Sequence, residues 1–226
     1  MRAGILYQKT GLTITNSPHK NKIDFRLIAV SNRKLCKRNI ADQLILLAEN
    51  GVKAIQLREK DLSAAELLKI AKKVISSAAK YKTNIIINDR LDIALLSKAG
   101  GVHSPANGIS INDIRKLSNI FLTGKSVHSV SEANKAEKEG YDYLMFGPVY
   151  RTPAKVKFGK PQGLENLKLL CSKVKIPVFA VGGINPKRIK KCLAAGAYGV
   201  ASIREFMQTK NARKTISEFM KELPGD

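Results

Sequence analysis

Ala54-Ile55-Gln56-Leu57-Arg58-Glu59-Lys60-Asp61 is a short apolar run that turns charged at its end. It follows Gly51 and is too short for a helix, so it reads as a buried strand. On an extended backbone Gln56, Arg58 and Lys60 point to one side. Two cations and an amide on one face at a strand's C-terminal end make an anion site. Phosphate is the matching guest, because a guanidinium fork and an ammonium bind its oxygens directly. The competing reading is a solvated strand end whose cations pair with Glu59 or Asp61.

Outward from this strand, short apolar runs alternate with longer helical periods. Strands are expected at 25–30, 54–57, 84–87, 101–103, 120–124, 143–147, 177–181 and 199–203. Helices are expected at 40–49, 64–79, 92–98, 111–117, 131–139, 164–174, 186–195 and 212–221. Ser63 with Glu66, and Ser129 with Glu132, have the spacing of capping boxes. Pro186 suits a first helical turn. Gly51, Gly100, Gly140 and Gly196 fall where helices end and strands follow. This alternation fits a single (β/α)8 TIM barrel over residues 25–222 better than an open sheet. A doubly wound sheet is the alternative, but no GxGxxG follows the first strand. Residues 1–24 have no clear period and form an N-terminal extension, either a tail or a segment closing the barrel floor.

Composition narrows the class. With 44% hydrophobic residues and no Trp, this is an ordinary globular chain. No apolar run approaches the ~20 residues that span a bilayer, and Lys9 interrupts any signal-peptide core, so a cytoplasmic location is expected. Cys36, Cys171 and Cys192 are widely spaced without a CxxC, which argues for three reduced thiols and against a zinc site. The net charge of +22 raises nucleic acid as a partner. Its distribution argues against that, because Lys69, Lys72, Lys73, Lys80, Lys135, Lys138, Lys187, Arg188, Lys190 and Lys191 are spread over the outer faces of several helices. No aromatic stacking motif accompanies them. A homo-oligomer stays open.

In a barrel, chemistry belongs at the C-terminal ends of the strands. Reading only those ends collects Gln56-Arg58-Lys60, Asn88-Asp89-Arg90, His103, Ser126 with His128, Gly147-Pro148, Gly182-Gly183 and Ser202-Ile203-Arg204. Polar groups gather where the fold places a site, which strengthens the phosphate reading of Arg58 and Lys60.

These segments resemble the thiamine-phosphate synthases and their relatives, the thiazole tautomerases. Gln56-Leu57-Arg58-Glu59-Lys60 is similar to that family's pyrimidine-diphosphate loop. Ile87-Asn88-Asp89-Arg90 resembles its next motif, and Gly124-Lys125-Ser126-Val127-His128 the segment whose serine contacts diphosphate. The stretch from Gly147-Pro148 to Thr152-Pro153-Ala154-Lys155 resembles the loop ending in a diphosphate-binding lysine. Val181-Gly182-Gly183-Ile184 and the run from Gly196 to Ala201 resemble the phosphate turns of the last two strands.

The resemblance implies that a thiazole phosphate nitrogen attacks a hydroxymethylpyrimidine diphosphate and pyrophosphate leaves. It implies Arg58, Lys60 and Lys155 as the catalytic cations and Asp89 as a magnesium ligand. Gln56 and Asn88 would hold the pyrimidine, Ser126 and Thr152 the diphosphate side, and Gly183 and Ile203 the thiazole phosphate through backbone N–H groups. The family's second magnesium carboxylate is absent, since Gly108 stands at that place, and Ala154 and Arg204 replace a threonine and a serine. Arg204 would either bind phosphate or block it. The tautomerase branch uses a histidine where Pro148 stands, leaving His103 or His128 as the only imidazoles for such a reaction. Synthase, tautomerase-like isomerase and non-catalytic phosphate binder are therefore the three readings, with the synthase first.

Overall fold

The computed structural model describes residues 23–152 and 160–225. The strands are β1 (Leu27–Val30), β2 (Ala54–Leu57), β3 (Asn84–Asn88), β4 (Gly101–Ser104), β5 (Leu122–Val127), β6 (Tyr143–Phe146), β7 (Val178–Val181) and β8 (Gly199–Ser202). The helices are α1 (Ile40–Glu49), α2 (Ala64–Ala78), α3 (Leu91–Ser97), α4 (Ile111–Leu117) and α5 (Val130–Glu139). They continue as α6 (Gly163–Cys171), α7 (Pro186–Ala194), α8 (Arg204–Met207) and α9 (Ala212–Met220). The strands close into a parallel barrel in chain order, with β8 returning to β1 through the pair Ile28↔Ala201. This is the (β/α)8 barrel expected from the alternation.

Every residue of β1, β2, β4, β6 and β8 is buried, because both faces of a parallel barrel are covered. One face packs inward, where Ile28, Val30, Ala54, Ile86, Leu122, Tyr143, Met145, Phe179 and Ala201 fill the barrel. The other packs against the helices, which bury residues such as Leu44, Leu67, Ile114, Leu167 and Ile189. Inward positions change character along a strand: Ala54 is followed by Gln56, Ile86 by Asn88, and Leu122 by Gly124 and Ser126. The floor is thus apolar and the C-terminal mouth polar.

Two boundaries depart from expectation in ways that matter. Strand β5 starts at Leu122 and runs to Val127, not 120–124, because Ser126 and Val127 pair with Met145 and Phe146 of β6. Ser126 is therefore held inside the barrel ladder rather than in a loop. The short α8 was not expected, and neither were 3-10 turns at Arg33–Leu35 and Ala79–Tyr81. Such short pieces are set by neighbours and carry too few residues for a period. The Ser63–Glu66 capping box is complete. At α5 only half forms, since Ser129 accepts from Glu132 N but the Glu132 carboxylate takes His128 N at 2.7 Å. Nor does Gly100 end a helix; Lys98, with φ 57°, caps α3. The expected extension 1–24 falls almost wholly outside the described residues, and among those described no helix is long and apolar enough to cross a membrane.

Candidate active site

Beyond β2 the two carboxylates beside Arg58 and Lys60 are already committed. Glu59 is buried, accepting from Ser31 Oγ at 2.6 Å and from Arg33 N at 3.0 Å. Ser31 Oγ in turn accepts from Arg58 N at 2.7 Å, so one hydroxyl ties the ends of β1 and β2 together. Asp61 pairs with Lys34 at 2.7 Å and Arg33 at 3.0 Å, and the Lys34 ammonium is the main cause that lowers its carboxyl's pKa. Among the described residues the guanidinium of Arg58 has no hydrogen bond or ion pair, and burial lowers its pKa against the opposing pull of Glu59. Lys60 is exposed at the start of the loop, with no ion pair among the described residues. A desolvated cation without a partner is a standing demand for an anion. The arrangement favours the anion reading over a solvated, ion-paired strand end.

Between β2 and β3, Gln56 Nε2 donates to Asn88 Oδ1 at 3.0 Å, and both side chains are buried. Each amide thereby keeps one further polar atom, an acceptor on Gln56 and donors on Asn88, at the barrel mouth. Asp89 follows with φ 66°, a left-handed conformation that Asp tolerates better than most residues, anchored by Asp89 N donating to His103 O at 2.9 Å. Its side chain is exposed, whereas Arg90 turns away to pair with Asp92. A Cβ on Gly108 would lie 2.9 Å from Asp89 Oδ1, so position 108 lies beside that carboxylate. That Cβ would also lie 2.5 Å from Pro105 Cδ, which makes this loop unfit for a side chain there without a change at Pro105. Among the described residues no group of three His, Cys, Asp or Glu side chains converges to hold a metal. Asp89 alone suits a hard cation such as magnesium, which takes one or two carboxylates and completes its shell with waters and substrate oxygens.

His103 of β4 is buried and bonded at both nitrogens, Nδ1 to Tyr143 Oη at 3.2 Å and Nε2 to Ser126 Oγ at 2.8 Å. Burial, with Arg58 and Lys125 nearby, pushes its pKa down to about 3, so the ring is neutral. Burial raises the Tyr143 pKa, and that hydroxyl keeps its proton. His128 lies outside this cluster: its Nδ1 donates to Gly147 O at 2.7 Å, pinning β5 to the turn after β6.

The β7–β8 side is built differently. Gly183 has φ 68°, and a Cβ there would lie 2.8 Å from Tyr150 Cβ. Its carbonyl accepts from Arg188, whose guanidinium lies 4.5 Å from the centre of the Tyr150 ring. Ser202 Oγ donates to Ile184 O at 3.0 Å, tying β8 to the turn after β7. Among the described residues no backbone acceptor takes the N–H of Gly183 or Ile203. Arg204 is exposed and directs its guanidinium along its own helix to Gln208 Oε1 at 3.2 Å, so it does not block the turn. Thr152 is half-buried, and Lys155 lies outside the described residues.

Sequence reasoning passed over Ser31, Tyr143 and Arg188. In the sequence Arg188 falls within a lysine stripe, although its place five residues after Gly183 is a usable signal. Tyr143 sits at a strand start and offers none.

The family model described as thiamine monophosphate synthase matches residues 27–206. A thiamine-phosphate synthase of Caldanaerobacter subterraneus is 40% identical over 185 residues, covering 80% of this chain and 86% of that protein. One from Clostridium novyi is 34% identical over 200 residues, covering 86% of this chain and 98% of that one. Among solved structures, the thiamine phosphate pyrophosphorylase from Pyrococcus furiosus superposes with a TM-score of 0.79 at 32% identity, covering 87% of this chain and 94% of that chain.

Proposed function

The chain belongs to the thiamine monophosphate synthase family, and we propose that it is a transferase of thiamine biosynthesis whose diphosphate site is centred on Arg58. It joins a hydroxymethylpyrimidine diphosphate to a thiazole phosphate. The thiazole nitrogen forms a bond to the pyrimidine methylene, the methylene–oxygen bond breaks, and pyrophosphate departs with the electron pair. No proton has to move; the difficulty is charge, a polyanion leaving while a pyrimidine-stabilised cation forms.

The guanidinium of Arg58, desolvated and without a hydrogen bond or ion pair among the described residues, is the observation that carries this reading. A preorganised cation without a protein partner interacts more strongly as negative charge grows on the leaving group, which lowers the barrier and not merely KM. Lys60, Ser126, Thr152 and Lys155 complete the diphosphate contacts. The Gln56–Asn88 pair offers one acceptor and one donor to the edge of an aminopyrimidine. Backbone N–H groups of Gly183 and Ile203 hold the thiazole phosphate, with the glycine permitting close approach. Asp89 would hold a magnesium ion together with diphosphate oxygens, and such an ion supplies neutralisation of the leaving charge when bound. The catalytic unit is residues 25–222, with 1–24 an extension. Small phosphorylated substrates, not nucleic acid, are its partners, in a cytoplasmic setting and with a homo-oligomer compatible.

The isomerase reading gains no support. His103 is neutral and bonded at both nitrogens, and His128 has one nitrogen committed to a backbone carbonyl. Incubation of the purified protein with both phosphorylated substrates, with and without magnesium, should yield thiamine phosphate. Conversion of a thiazole tautomer without thiamine phosphate would reverse the ranking.

A further inference from the structure

Tyr143, His103 and Ser126 lie in a line of which the reaction as described uses only Ser126. His103 on β4, Gly124 on β5 and Tyr143 on β6 are register partners, side by side across the barrel wall. Gly124 has no side chain, and the space above it is filled by the two rings. A Cβ there would lie 2.1 Å from Tyr143 Cζ, 2.5 Å from Tyr143 Oη and 2.6 Å from His103 Nδ1. The glycine thus lets Tyr143 reach across β5 to the imidazole. Beneath, Tyr143 packs edge-on against Phe179 at 5.5 Å, sealing the floor side with an aromatic layer.

The direction of the hydrogen bonds follows from what each group can do. Among the described residues Tyr143 Oη has His103 Nδ1 as its only partner, and the side chain is fully buried. If Nδ1 carried the hydrogen, the tyrosine O–H would be a buried donor without an acceptor. If Tyr143 donates, Nδ1 accepts, the ring hydrogen sits on Nε2, and Ser126 Oγ receives it. An orphaned buried donor is costly enough to favour the second arrangement by roughly tenfold or more. Ser126 then cannot spend its own proton on the imidazole, and its O–H is left to donate elsewhere.

We propose that Tyr143 and His103 are positioning residues that fix the imidazole as the Nε2–H tautomer and so keep the Ser126 hydroxyl as a donor to the leaving diphosphate. The identity of that acceptor rests on the synthase reading; the tautomer does not. Neither Tyr143 nor His103 has to touch the diphosphate or exchange a proton with it. The relay accounts for a buried polar pair in the barrel wall and for a glycine between them.

The tautomer is read directly by two-bond nitrogen–proton correlation NMR on the substrate-free protein labelled with 15N-histidine. The chain has only His19, His103 and His128, so His19→Gln and His128→Gln assign the third signal. His103 should show hydrogen on Nε2 and an accepting Nδ1; hydrogen on Nδ1 would overturn the proposal. Tyr143→Phe keeps the packed ring and removes only the hydroxyl. It should populate both tautomers and lower kcat about tenfold, with KM for the thiazole phosphate unchanged. In a Ser126→Ala background the same change should cost less than about twofold, because the relay then has nothing to orient. A full tenfold loss in that background would also overturn the proposal. Absence of thiamine phosphate in every variant and the wild type would sink the synthase reading, while the NMR result would still decide the tautomer.

Discussion

The two sides of the barrel mouth are built from different parts of the chain. From β2 to β5 the site is made of side chains: Gln56, Arg58, Asn88, Asp89 and Ser126, each supported by another side chain or a neighbouring strand. From β7 to β8 it is made of backbone, the turns at Gly183 and Ile203, with Arg188 and Ser202 bracing carbonyls. Each side suits a different task. A leaving diphosphate gains charge during the reaction and needs cations that respond to it. A phosphate that only anchors a substrate is held well by fixed N–H groups, which provide location more than rate.

The sharpest way to break this contrast is Arg58→Ala. A charge-assisted contact contributes about 1.5–3 kcal/mol, so kcat/KM should fall roughly ten- to a hundredfold. Stability in urea should hold or rise, since the change removes a desolvated charge that has no ion pair among the described residues and for which burial outweighs the pull of Glu59. Unchanged turnover would take the diphosphate away from the β2 side.

The side-chain half should also be the one that feels acid. In the unfolded chain a histidine takes up a proton near pH 6.5, whereas folded His103 waits until about 3. The unfolded state therefore binds more protons in that window, and stability falls as pH drops through it. Between pH 6.5 and 5 this amounts to about 2 kcal/mol, read as a falling urea midpoint. In His103→Gln that slope should flatten; an unaltered slope would assign acid sensitivity to another group.

On the backbone side, Gly183→Ala tests position and not charge. It places a Cβ at φ 68° within 2.8 Å of Tyr150 Cβ and 3.0 Å of Arg151 O. A displaced turn should raise KM for the thiazole phosphate about tenfold while leaving KM for the diphosphate substrate alone, as a lost hydrogen-bond set of this kind costs about one or two kcal/mol. Equal losses for both substrates would erase the division between the two sides. The smallest effect is expected from Arg204→Ala, less than about twofold on either KM, since its guanidinium is exposed and turned to Gln208. A large rise in KM for the thiazole phosphate would put a side chain into the backbone half.

Much of the architecture was present in periodicity alone. The run from Ala54 to Asp61 announced a buried strand ending in cations, and repetition of strand and helix implied a barrel whose mouth collects those ends. Residue chemistry also marked Arg58, Asn88 and Gly183 as candidates, because guanidinium, amide and an unhindered turn each have a recognisable use. Partners across the barrel were another matter. Nothing local says that Glu59 and Asp61 are taken by Ser31, Arg33 and Lys34, which leaves Arg58 without an ion pair among the described residues. Nor does a tyrosine at the start of β6 say that it will reach a histidine two strands away across Gly124. Sequence by itself determined the repeating elements and the types of groups at the mouth, since both follow from short-range pattern. Only the closed barrel decided which charges are neutralised, which hydroxyl donates and which glycine makes room, because those depend on the register between strands far apart in the chain.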